Sequence, residues 1–140
     1  MKEEINKTSK VTLRYKTMFQ FFNPNPNGNL TGDCVIRALS IAQEKSWDDI
    51  YLKLMAYSYD MKDMPSSNNV WSYYLHNNGY KRNIIPDICP NCITISDFVQ
   101  NTKGDYILGT GTHVVAVKDG IYYDTWNSGN EIPIYYWTKG

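Results

Sequence analysis

Net charge is the first thing this chain lacks: Lys plus Arg and Asp plus Glu are 14 each in 140 residues. Without a basic excess nothing points to a nucleic-acid partner, and without an acidic one nothing points to a solvated tail. No apolar run is long enough to span a bilayer, so no membrane partner is expected. Residues 1–10 are charged and polar where a signal peptide would carry its apolar core. Cysteine numbers three, an odd count that argues against a disulfide framework and makes a reducing cytoplasm the simplest compartment. Histidine numbers two, so any imidazole chemistry must pass through His76 or His113. No cofactor is expected.

What is abundant is aromatic: 14% of the residues, with 12 tyrosines and four tryptophans, which suits a sheet packed with large side chains. The length fits one domain, 1–140, burying roughly two thirds of its unfolded surface, with residues 1–9 frayed. Residues 11–22 read as a strand, and Asn23-Pro24-Asn25-Pro26-Asn27-Gly28-Asn29 as a loop that neither helix nor strand accommodates. A nearly all-apolar helix follows from Val35 to Ala42. Ser46, with Asp49 three residues on, caps an amphipathic helix through Trp47, Ile50, Tyr51, Leu54 and Met55 to about Tyr59. Ser67 caps a shorter one with Val70, Trp71, Tyr74 and Leu75 inward, stopped by Asn77-Asn78-Gly79. Residues 80–85 suit a strand, 86–92 are irregular, and 94–101 make a short helix anchored on Phe98 and Val99. Strands are expected at 106–108, 113–117, 121–126 and 132–137, with Asp119-Gly120 as a hairpin turn. Helices followed by an antiparallel sheet define an α+β fold.

The stretch that organises the rest is Thr31-Gly32-Asp33-Cys34-Val35-Ile36-Arg37-Ala38-Leu39-Ser40. Gly32 permits a bend and Asp33 is a good N-cap, its carboxylate near the free amides of the first turn. Those amides and the helix dipole favour an anion, so a thiol delivered there loses its proton readily. A buried cysteine acting as a small hydrophobe is the bland alternative. Arg37 lies four residues beyond Asp33, the spacing of a helix salt bridge, with a substrate-carboxylate contact as the lesser reading. Asp33, Arg37 and Trp126 are the candidates to line a cleft.

His76 ends a helix, where an imidazole is a favourable dipole partner. His113 is more promising: it opens a strand after Gly109-Thr110-Gly111-Thr112, whose small residues leave room around the ring. If Asp119-Gly120 is a two-residue turn, Lys118 pairs with Ile121, His113 faces Trp126, and Asp124 lies diagonally within reach of the imidazole. It would then fix the ring's tautomer as the third member of a triad. A three-residue loop would slip the register and make Asn127 the orienter instead.

Cys89-Pro90-Asn91-Cys92 lacks the context of a redox motif and has only half of a zinc site. Borrowing Cys34 and His113 would complete a Cys₃His site; a structural tight turn is the favoured use, with no metal expected.

Cysteine on a buried helix, histidine on a later strand and Asp or Asn on the next is the order of papain-like cysteine peptidases, which this chain resembles. It resembles small uncharacterised papain-like proteins of Gram-positive bacteria and their phages more closely than it does papain itself. That resemblance is carried by Asn23-Pro24-Asn25-Pro26, Gly32-Asp33-Cys34-Val35-Ile36-Arg37-Ala38, Asp63-Met64-Pro65-Ser66 and Ile85-Pro86-Asp87, with Cys89-Pro90-Asn91-Cys92. It continues through His113-Val114-Val115-Ala116-Val117-Lys118-Asp119-Gly120 and Asp124-Thr125-Trp126. The resemblance implies a papain-like fold and a Cys34–His113 pair attacking an amide or thioester of a protein or peptide substrate through an acyl-enzyme, with Asp124 as orienter. It implies a Gln six residues before the cysteine, where this chain has Gly28; Asn25, or else Asn23, is then the candidate for the second oxyanion donor. Acyl transfer to an amine uses the same residues, and a non-catalytic binding module, as a phage or host-interaction protein, is the competing reading. A phage-encoded copy would act in the host cytoplasm.

Overall fold

The computed structural model of the chain describes residues 18–140, in which four helices and six strands alternate unevenly. In chain order these are β1 (Phe19–Phe21), α1 (Cys34–Gln43), α2 (Trp47–Met61), α3 (Asn68–Asn77), β2 (Tyr80–Ile84), α4 (Ile95–Asn101), β3 (Tyr106–Gly109), β4 (Val114–Lys118), β5 (Ile121–Asp124) and β6 (Tyr135–Lys139). The fold is α+β. The reading of residues 1–9 as frayed, and of 11–17 as strand, falls outside the described residues.

Local chemistry sets most of the boundaries. The Ser46 side chain accepts the Asp49 N–H at 3.1 Å, and α2 runs two residues past the expected end. Thr94 and Asp97 exchange both bonds of a capping box at the start of α4. Ser67 precedes α3 without capping it; its hydroxyl donates to Asp63 instead. Between β4 and β5, Asp119 and Gly120 both take positive φ (54° and 77°), the pattern of a two-residue type I′ turn. Lys118 therefore pairs with Ile121, as the turn residues predict.

The sheet corrects one expectation. It is mixed rather than antiparallel and is not confined to the C-terminal part: the order is β1-β5-β4-β3-β6-β2, with β1 parallel to β5. β6 inserts between β3 and β2, so the strand preceding α4 becomes one edge of the sheet. Pairings between strands distant in sequence carry no local signal.

Both faces are covered. Every residue of β3 is buried, and so are the first four of β4. On one face Ile107, Val114, Ala116, Tyr135 and Trp137 meet Ala38 and Leu39 of α1, Ile50 and Leu54 of α2, and Trp71 and Leu75 of α3. On the other, Leu108, Val115, Val117 and Tyr122 pack against Ile95 and Val99 of α4. Tyr135-Tyr136-Trp137 is split by this alternation: Tyr135 and Trp137 lie in the first cluster, while Tyr136 packs against the second.

Cys89 and Cys92 form a disulfide across a four-residue loop, with their Cα atoms 4.3 Å apart. The odd cysteine count therefore does not mean three free thiols. Parity speaks against a framework of long loops, whereas two cysteines three apart need only a tight turn to meet. Cys34 is the free one. No helix among the described residues is long and apolar enough to cross a membrane.

Candidate active site

α1 begins at Cys34, so the thiol occupies the first helical position, half-buried at the mouth of the helix-covered face. Asp33 takes the N-cap position but does not cap: its side chain bonds to no amide of the helix. Its carboxylate is taken by Arg37 Nη1 at 3.0 Å and by the indole Nε1 of Trp47 at 2.9 Å. The amides of the first turn are left for an anion arriving from outside.

His113 is the last residue of the tight loop joining β3 to β4. Thr110 closes that loop, its hydroxyl accepting the His113 N–H at 3.0 Å and its own N–H donating to the His113 carbonyl at 2.9 Å. Gly111, at φ 98°, supplies the left-handed residue the loop requires. From there the His113 Nε2 reaches Asp124 Oδ2 at 2.6 Å. That leaves Nδ1 for the thiol, which lies beside the ring and the Val114 backbone N–H.

Asp124, at the end of β5, is fully buried and accepts four bonds. Besides His113 they come from Arg37 Nη2 at 3.0 Å, the Ser128 hydroxyl at 2.7 Å and the Thr125 N–H at 2.8 Å. Arg37 thus bridges two buried carboxylates, Asp33 and Asp124. Four donors hold the carboxylate in one orientation and leave a charged, orienting partner for the imidazole.

The ionisation pattern follows from these contacts. Burial alone would push the Cys34 thiol up, but contact with His113, the Val114 N–H and the positive charges of His113 and Arg37 bring it below its ordinary value. Burial alone would lower His113; hydrogen bonds to Asp124 and Cys34, with their negative charges, raise it to about 9. Burial pushes Asp124 up, and its bonds to His113 and Ser128 more than reverse that. Thiolate and imidazolium are therefore each stabilised by the other around neutral pH.

The structure brings Cys34, His113 and Asp124 together and disposes of the other candidates as follows. Asn127 turns away, its Oδ1 accepting from Tyr122 Oη at 2.6 Å and the Gly129 N–H at 3.0 Å, because the two-residue hairpin keeps Asp124 in register with His113. Asp33 and Arg37, at 5% and 4% exposure, cannot line a cleft; their charges are spent on each other and on Asp124. Trp126 is exposed, with its ring 5.0 Å from that of His113 at a tilt of 38°. Asn23 Nδ2 donates to the Asn29 carbonyl, whereas Asn25 uses its Oδ1, accepting the Asn27 N–H, and its Nδ2 makes no bond among the described residues. His76 lies exposed in the last turn of α3. Trp47 and Ser128 were missed in the sequence: Trp47 reads as one more apolar residue of α2, and nothing near Ser128 marks it.

Among the described residues no three His, Cys, Asp or Glu side chains group as metal ligands. A cleft of about 140 Å³ lies at the opposite end of α1, lined by Ile41, Ala42, Tyr80, Asp105, Val117 and Lys118, away from the thiol. The chain matches no protein-family model, no curated protein and no solved structure.

Proposed function

We propose that the protein is a thiol hydrolase acting through a Cys–His–Asp triad. Within that class we read it as a small papain-like cysteine peptidase or amidase, similar to those of Gram-positive bacteria and their phages, acting on a protein or peptide. One observation carries the reading. A thiol at the first position of a buried helix adjoins an imidazole whose far nitrogen sits 2.6 Å from a fully buried carboxylate.

The chemistry follows from that order. The Cys34 thiolate attacks the carbonyl carbon, and His113, as imidazolium, gives its proton to the departing amine. Neutral His113 then takes a proton from water as the acyl-enzyme is hydrolysed. Asp124 holds the ring and stabilises its positive charge at both stages.

The pH dependence of Cys34 alkylation by iodoacetamide tests the pair. A lowered thiol pKa means the thiolate persists as pH falls below the ordinary thiol range, and a raised His113 pKa means the imidazolium persists until about pH 9. Wild type should reach its rate plateau well below the free-thiol value of ~8.5. His113→Ala should move that rise upward into the ordinary thiol range. The same profile in both proteins would refute the pair and leave a binding module on this fold as the better reading.

A further inference from the structure

We infer that the Tyr135 hydroxyl is a catalytic hydrogen-bond donor to the oxyanion formed when Cys34 attacks a carbonyl. This rests on the thiol-hydrolase reading above. An oxyanion needs converging donors set in advance, and the Cys34 backbone N–H at the uncapped start of α1 supplies one. The nearby side-chain donors Arg37, Trp47 and Ser128 are already committed to Asp33 and Asp124.

The sheet points to the second. Asp124 approaches from β5, on one side of β4; on the other side come β3 and then β6. Tyr135 opens β6 opposite Gly109 of β3, and Gly109 in turn pairs with Val114, whose N–H faces the thiol. Gly109 has no side chain, and the end of the Tyr135 ring occupies the space one would need. A Cβ there would lie 2.2 Å from Cζ and 2.5 Å from the hydroxyl oxygen. The phenol therefore crosses β3 toward the thiol's side of the sheet, in the cluster against which Cys34 packs.

The ring is fixed and, among the described residues, its hydroxyl is unspent. Trp71 stacks on it with centroids 6.3 Å apart, and the Arg82 guanidinium carbon stands 4.4 Å from its centroid. Tyr135 as a whole is 6% exposed, but its hydroxyl oxygen is open to solvent, and no hydrogen bond from the described residues ends on it. Burial raises the phenol's pKa, Arg82 opposes that, and a charged Cys34 raises it further, so the group stays protonated as a donor must.

In the step itself the sulfur forms a bond to the carbonyl carbon and the C=O π pair moves onto oxygen. Tyr135 O–H and Cys34 N–H hydrogen-bond that oxygen without giving up their protons. When the C=O re-forms, the bond to the leaving group breaks and an amine leaves with the proton of His113.

Tyr135→Phe in the full chain tests this, because it keeps the ring and deletes only the hydroxyl. Two reagents are compared on Cys34: p-nitrophenyl acetate, which acylates through an oxyanion, and iodoacetamide, which alkylates at a saturated carbon with none. We expect acylation to fall by about 10²-fold with alkylation unchanged. Equal acylation in variant and wild type overturns the assignment. So does a parallel fall in both reactions, which would make the hydroxyl a support of the thiolate. Ordinary thiol behaviour of wild-type Cys34 toward iodoacetamide overturns the triad and this assignment with it, and is read from the wild type alone.

Discussion

Four donors converge on Asp124, and one of them, the Arg37 guanidinium, is shared with Asp33. The turn residues Asp119-Gly120 predict the register of Asp124 against His113. The Arg37–Asp33 pair follows from a spacing of four. That the same guanidinium reaches Asp124, 87 residues away, has no trace in the sequence, because long-range contacts leave no periodicity. Asp33 holds the N-cap position without making the cap bond. A short carboxylate before a helix normally takes the nearest amide, and here a buried guanidinium and an indole outbid it. The consequence is a strong dependence on one side chain. Arg37→Ala removes the charge shared by two buried carboxylates, leaving Asp33 with only the Trp47 N–H and Asp124 with His113, Ser128 and Thr125, and should destabilise the fold by about 3–5 kcal/mol, read from the urea midpoint. A loss below about 1 kcal/mol, the range of an exposed pair, would mean the bridge is solvated.

At the scale of elements, helices were more legible than strands. Ser46 and the helical spacing of Ile50 and Leu54 announce α2, and Phe98 and Val99 announce α4, from a few neighbouring residues. β1 gives no such notice of its parallel partner, and β6 none of its place between β3 and β2. The least visible connection is that of α4 to the loop after β5. The Ile95 N–H donates to Glu131 O at 2.9 Å and the Ser96 N–H to Gly129 O at 3.0 Å, so the helix on the back face holds the loop that carries Ser128. Gly129 makes that contact possible: a Cβ there would lie 2.3 Å from both Ser96 Oγ and Tyr122 Oη. Gly129→Ala should therefore cost about 1–3 kcal/mol in chemical denaturation. An unchanged midpoint would show that the loop shifts freely and does not brace Asp124.

At the scale of the whole molecule, a sheet buried on both faces presents the thiol and imidazole at one end. The α+β class was legible because the helical periods precede most of the period-2 segments. The layering was not, since the alternation of Val114-Val115-Ala116-Val117 hides two apolar faces in one apolar run. The aromatic neighbour of His113 has a separate use. Trp126, with its ring 5.0 Å from His113, makes the protein its own optical gauge: a charged imidazole quenches a neighbouring indole and a neutral one does so far less. His113 is charged below its raised pKa, so emission from Trp126 should be dim near neutrality and brighten as pH rises through about 9. The difference between wild type and Trp126→Phe isolates that signal from the other tryptophans, and a flat difference spectrum across this range would place the imidazole's titration elsewhere. Ionisation of the catalytic pair would then be followed in real time by light alone, with no substrate in hand.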